Sequence, residues 1–142
     1  MLKINVKKLV PEAVIPAYAK PGDAGMDLVA TKKWFDEHGN TVYGTGIAME
    51  IPEGYVGLIF PRSSNAKTDL YLTNHVGVID SGYRGEIMFK FRAIKNVFPK
   101  EYAVGERIGQ IIIMPYPQVA FIETDELSSS ERGEGGFGST GK

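Results

Sequence analysis

At 142 residues, with 43% hydrophobic and 23% charged residues, the chain has the size and composition of one soluble globular domain and too little length for two independent cores. A formal net charge of -1 gives no basic field to grip a nucleic-acid backbone or an acidic membrane, which excludes polymeric nucleic acid and membranes as partners. Zero cysteines and only two histidines, His38 and His75, exclude disulfides, thiolate nucleophiles and a cysteine or histidine zinc cage, so any metal is hard and oxygen-bound.

Leu2, Ile4 and Val6 alternate with Lys3, Asn5 and Lys7, the period of a half-buried strand, and the lysines break the apolar continuity that a signal peptide needs. No stretch approaches bilayer length, and cytoplasmic residence is the expectation. Pro11, Pro16 and Pro21 then forbid helix. Strands are predicted over Met26 to Thr31 and, after a turn at His38-Gly39-Asn40, at Ile47, Met49 and Ile51. Tyr55 to Phe60 is an apolar, β-rich run between Gly54 and Pro61, and Ser64 to Leu70 is the one segment expected to make a helical turn.

Leu70 to Glu86 is read as a strand pair with Asp80 at its apolar end. Ile87, Phe89 and Phe91 face opposite to Met88, Lys90 and Arg92, whose basic members predict a solvated or subunit-facing stripe. Ile108 to Met114 is a near-continuous apolar strand stopped by Pro115 and Pro117, with Val119 to Ile122 expected to pair beside it. Short strands at even spacing, punctuated by 17 glycines and eight prolines, predict an all-β, jelly-roll-like sandwich or barrel over residues 1–123. Residues 124–142, with three consecutive serines and five glycines, read as a flexible C-terminal arm.

Chemistry-bearing residues fall in separate segments. The arm's Arg132 to Gly141 frees backbone amides to curl round an anion, with Arg132, Ser139 and Thr140 as further donors. A solubilising extension has the same composition, but the isolated Phe137 favours closure onto a flat ligand. The tail is no ATPase P-loop, because no following helix is available. Pro61-Arg62-Ser63-Ser64 follows a strand, and it is either a phosphate-gripping corner or the cap of a short helix. Asp80 is either a turn aspartate bonded to the backbone at 82 or a water-activating base. His75 and His38 are assigned no catalytic role.

Five segments in order resemble the motifs of the trimeric dUTPases: Ala24 to Ala30, Pro61 to Ser64, Gly77-Val78-Ile79-Asp80 through Tyr83-Arg84-Gly85-Glu86, Glu106-Arg107-Ile108-Gly109-Gln110, and Arg132 to Gly141. The resemblance implies a jelly roll, a homotrimer with shared active sites, and Mg²⁺-assisted hydrolysis of dUTP to dUMP and pyrophosphate. That reaction would limit uracil in DNA and supply dUMP for dTMP synthesis. By the same resemblance, Asp80 activates water for in-line attack on the α-phosphorus, Ser63 bonds near the α,β bridge, and Arg62, Ser64, Gln110, Arg132, Gly138, Ser139 and Thr140 clamp the phosphates.

The resemblance further implies that Asn74 and the backbone of Gly77, Val78 and Ile79 read uracil, with cytosine presenting the wrong hydrogen-bond pattern. Tyr83 lies against the deoxyribose, Phe137 stacks on the base once the arm closes, and Asp27 reaches the metal only through water. Glu134, inside the arm, is expected to point outward. Two alternatives stand beside this reading. A dCTP deaminase shares the fold and the Arg-Ser-Ser corner but carries a glutamate about where this chain has Lys90; a dUTP-binding regulatory sensor would bind without turnover.

Overall fold

The computed structural model describes residues 1–141; Lys142, the last residue of the expected arm, lies outside them. Ten strands run in chain order: β1 Asn5–Lys8, β2 Met26–Val29, β3 Lys32–Phe35, β4 Thr41–Gly44, β5 Ile47–Glu50, β6 Tyr55–Phe60, β7 Leu70–Leu72, β8 Gly77–Ile79, β9 Met88–Ala93 and β10 Arg107–Pro115. One sheet has the order β2-β10-β6-β8, a second β3-β4-β9-β7, and β1 pairs with β5 in a small third. All pairings are antiparallel. This is the jelly-roll-like, all-β architecture that the turn-rich sequence predicts. No described helix is long and apolar enough to cross a membrane.

The core forms where the inward residues of the two large sheets interleave. Leu28, Ile59, Ile108 and Ile111 from the first meet Tyr43, Leu72, Phe89 and Phe91 from the second. Phe89 and Phe91 stack with centroids 6.1 Å apart, and Tyr43 meets Phe91 edge to face at 5.8 Å. The layers approach so closely at Gly109 that a Cβ there would collide with the Phe89 ring, which explains a glycine inside the long apolar strand.

Three expectations need correction. Leu70 and its neighbours extend as β7, and the helical turn is a 3₁₀ segment over Ser63–Lys67. The strands of the Leu70 to Glu86 segment do not pair with each other: β7 pairs with β9 and β8 with β6, so residues 73–76 carry the chain from one sheet to the other. His75 turns that corner at φ 64°, and the Val76 amide donates to the Asn74 carbonyl at 2.7 Å. Val119 to Ile122 forms no strand: the pairing of β10 with β2 ends at Ile111, and beyond Pro115 the chain leaves the sheet without turning back along it. Val119, Phe121 and Ile122 are left exposed.

The basic stripe on β9 is neither simply solvated nor free. Lys90 Nζ reaches Asp36 Oδ2 at 3.3 Å, and Arg92 donates to Asn40 Oδ1 at 3.2 Å and to the His38 carbonyl at 3.1 Å. The β3–β4 turn, whose tip the sequence marks at Gly39 (φ 81°), therefore folds down onto this face.

Candidate active site

Central strand β10 assembles one half of the site. Its Gln110 pairs with Asp27 on β2 and with Phe60 on β6, so three separated motifs become neighbours across one row of the sheet. Just beyond Phe60 the chain turns: Gln110 Nε2 donates to the Pro61 carbonyl at 3.0 Å, and Arg62 Nε donates to Asp27 Oδ1 at 2.8 Å. Arg62 also donates to Ser64 Oγ at 3.1 Å, and the second Asp27 oxygen accepts from Arg107 at 3.2 Å. Gly25 leaves the space that the Gln110 side chain occupies. A polar cavity of about 390 Å³ opens here, lined by Asp27, Arg62, Ser63, Arg107 and Gln110.

Arg62 caps the 3₁₀ segment in extended conformation, with no side-chain cap hydrogen bond to the amides of its N-terminus. Ser63 is exposed, and its hydroxyl has no hydrogen-bond partner among the described residues. The corner thus presents one bound guanidinium and one unengaged hydroxyl to the same cavity, which is what a phosphate oxygen requires.

The other half lies at the open edge of the sandwich, where the chain crosses between sheets. A cavity of about 330 Å³ is lined by Ile59, Asn74, Gly77, Val78, Ile79, Asp80 and Tyr83 together with Thr73, Glu86, Met88 and Lys90. Gly77 is required for this closeness, since a Cβ would strike the Ile59 side chain. The turn after β8 is closed by the Tyr83 amide on the Asp80 carbonyl at 3.1 Å. The Asp80 carboxylate makes no hydrogen bond among the described residues and faces solvent, so it does not serve as the turn's own fastener. Tyr83 is pinned through its hydroxyl to the Glu86 carbonyl at 2.9 Å.

These halves stand apart in one chain. Gly57 pairs with Ile79, which puts Asp80 level with Val56, whereas Arg62 and Ser63 lie past Phe60. Val56 to Phe60 alone spans about 13 Å at roughly 3.3 Å per residue. Asp80 and the Arg62–Ser63 corner therefore lie at opposite ends of β6.

The arm makes a third, separate group. Gly133 donates to the Ser130 carbonyl, Gly135 to Arg132, Ser139 to Gly136 and Gly141 to Gly138, so the glycine run curls on itself, and Arg132 Nε closes one curl on the Gly135 carbonyl at 2.9 Å. A cavity lined by Arg132, Phe137, Gly138, Ser139 and Thr140 lies inside it. Phe137 is fully exposed at φ 53°. Glu134 is exposed. Every hydrogen bond of residues 130–141 stays within the segment.

Sequence reasoning did not assign site roles to Arg107 or Glu86, although both sit in quoted motifs, nor to Thr73 and Met88 in the edge cavity, and it marked Lys90 only as the position where a deaminase carries its glutamate. Only the pairing of β9 beside β7 brings Met88 and Lys90 to Asn74.

Comparison with known proteins gives one consistent answer. The dUTPase family model matches residues 11–141. The chain is 42% identical over 142 residues to the deoxyuridine 5'-triphosphate nucleotidohydrolase of Thermobifida fusca, covering 99% of this chain and 79% of that one. It is also 42% identical to the enzyme of that name from a Hydrogenobaculum species, covering 99% of both. Among solved structures, the dUTPase of Staphylococcus bacteriophage 80alpha, a G164S mutant with dUpNHpp, superposes with a TM-score of 0.85 at 30% identity over the whole of both chains.

Proposed function

The chain belongs to the dUTPase family and is a dUTP diphosphatase, and from that premise we propose how its own residues divide the work. The edge cavity seats the deoxyuridine, with Asn74 and the backbone of Gly77, Val78 and Ile79 reading the base and Tyr83 flat against the sugar. Asp80, at the phosphate end of that seat, takes a proton from water as the oxygen attacks the α-phosphorus. The bond from that phosphorus to the bridging oxygen breaks, releasing dUMP and pyrophosphate. An exposed carboxylate with no competing hydrogen bond is suited to hold and deprotonate a water.

The phosphates are held by Arg62, Ser63, Ser64 and Gln110 of a neighbouring subunit and by Arg132, Gly138, Ser139 and Thr140 of an arm, with Phe137 closing over the base. Asp27 orients Arg62, so the guanidinium is positioned before substrate arrives. The separation along β6 is the observation that carries this arrangement: a complete site needs more than one chain. Exposed Val119, Phe121 and Ile122, which lie in no strand, supply apolar surface for a second copy to cover. A homotrimer with shared sites, as the family resemblance implies, is consistent with this separation.

The donor set suits Mg²⁺. No group of three His, Cys, Asp or Glu side chains gathers among the described residues, and a hard cation carried by phosphate oxygens and water needs none. Asp27 is the side chain placed to meet such waters, and the ion would neutralise phosphate charge and favour attack at phosphorus. The activity, in the cytoplasm, limits uracil in DNA and supplies dUMP for dTMP synthesis.

The test is pyrophosphate release from dUTP, dCTP, dTTP and UTP, with and without Mg²⁺, by the wild-type chain and Asp80→Asn. Release from dUTP alone, lowered about 10²- to 10⁴-fold by the substitution, supports the assignment. An unchanged rate in a folded Asp80→Asn overturns it. Ammonia release from dCTP would favour a deaminase, and tight dUTP binding with no turnover a sensor.

A further inference from the structure

Lys90 is the one cation among the described residues lining the edge cavity; the other charged groups there are Asp80 and Glu86. Glu86 is already engaged, accepting from the Gly46 amide at 2.8 Å and pairing with Lys32 at 3.2 Å. Lys90 Nζ is tethered to Asp36 Oδ2 at 3.3 Å, which uses one of an ammonium's three donors and leaves two for a ligand.

The tether is itself fixed. Asp36 accepts from the backbone amides of His38 and Asn40 at 3.0 and 2.9 Å and from Asn40 Nδ2 at 2.9 Å. Asn40 is 5% exposed, and its Oδ1 accepts from Thr73 Oγ1 at 2.9 Å and from Arg92. The Thr73 amide in turn donates to the Lys90 carbonyl at 2.9 Å. One network therefore locks Lys90, Asp36 and Thr73, the residue before Asn74. Gly77 and Asp80 are about 10 Å apart along β8 and its continuation. Lys90 adjoins the Thr73 and Asn74 end of the cavity, which places it nearer the proposed base position than the phosphates.

We infer that Lys90 is a further specificity-determining residue, whose tethered ammonium donates to the uracil keto oxygen that cytosine lacks. Cytosine carries an amino group at that position and would bring donor against donor, leaving the ammonium desolvated and unpaired. The Asp36–Asn40 turn acts as a positioning element that holds the cation in place. The inference rests on the nucleoside seat proposed above.

The experiment compares kcat/KM for dUTP and dCTP in the full-length enzyme and in Lys90→Met, Lys90→Arg and Asn74→Ala. Lys90 is exposed, so Lys90→Met keeps the fold, which a melting curve verifies. The expected result is a dUTP over dCTP preference reduced about 10-fold or more by Lys90→Met, through a raised KM for dUTP, and retained by Lys90→Arg, which keeps a charged donor. An unchanged preference in Lys90→Met, or equal losses for both nucleotides, overturns the inference when Asn74→Ala still raises the KM for dUTP. If Asn74→Ala also leaves KM unaltered, the nucleoside seat is wrong and the inference falls with it.

Discussion

Trimers assembled from two differently disabled chains report directly on how a site is divided. Asp80→Asn removes the proposed base and Arg62→Ala removes a phosphate clamp, so each homotrimer is crippled, by about 10²- to 10⁴-fold where the base is lost. The register of β6 puts these residues at backbone positions more than about 13 Å apart in one chain, and the proposed division gives each site an Asp80 from one subunit and an Arg62 from its neighbour. A mixed trimer has two chains of one kind and one of the other. Around its ring there is one ordered neighbour pair in which both residues are wild type, so about one third of the sites are restored. Co-expression with two affinity tags, purification through both, and pyrophosphate release with dUTP give the measurement. Recovery near one third of the wild-type rate is expected, whereas mixed trimers no faster than their parents would refute the division.

Three further outcomes follow from the geometry. Deleting residues 131–142 removes the arm but no core contact, so the melting temperature stays within a few degrees while dUTP turnover collapses; calorimetry and the same assay check both. Gly77→Ala drives a methyl into Ile59 and costs about 1–3 kcal/mol, read as a lower denaturant midpoint together with a higher KM. Asp36, held well below the usual carboxylate range by the Asn40 side chain and then the Asn40 backbone amide, stabilises the fold above the unfolded value near pH 4 and loses that contribution as acid titrates it. Asp36→Asn is therefore less stable than wild type by urea unfolding at pH 7, and the gap narrows as the pH falls below about 4.

The longer elements were legible because their side chains alternate or run apolar long enough to exceed local ambiguity: β1, β5, β6, β9 and β10 all lie where the pattern puts them. Strands β3 and β4 escaped notice although the turn between them did not. Lys32–Phe35 is only four residues and carries two lysines, while Thr41–Gly44, wholly buried, is too short for a period. Which strands pair was hidden as well. Leu70–Leu72 and Gly77–Ile79 look like two arms of a hairpin, and only their separate partners, β9 and β6, reveal a crossing between sheets. The candidate site was readable only from five motifs in order, since each alone has another use: the Pro61–Ser64 corner can cap a helix and Asp80 can close a turn. The Asp36–Asn40–Lys90 network was not, because it joins residues more than fifty positions apart through strand pairing alone.

The 73–76 corner ties the width of the proposed nucleoside seat to the spacing between the two layers. One wall belongs to the edge of the β8 sheet and the other to β9, so the aromatic and aliphatic side chains that hold the layers apart also set the gauge of the slot. Interior packing would in this sense add a size limit to the selectivity that the hydrogen-bonding groups of the proposed seat supply. Trimming Phe89 would blunt the enzyme's discrimination without touching any atom that meets the nucleotide.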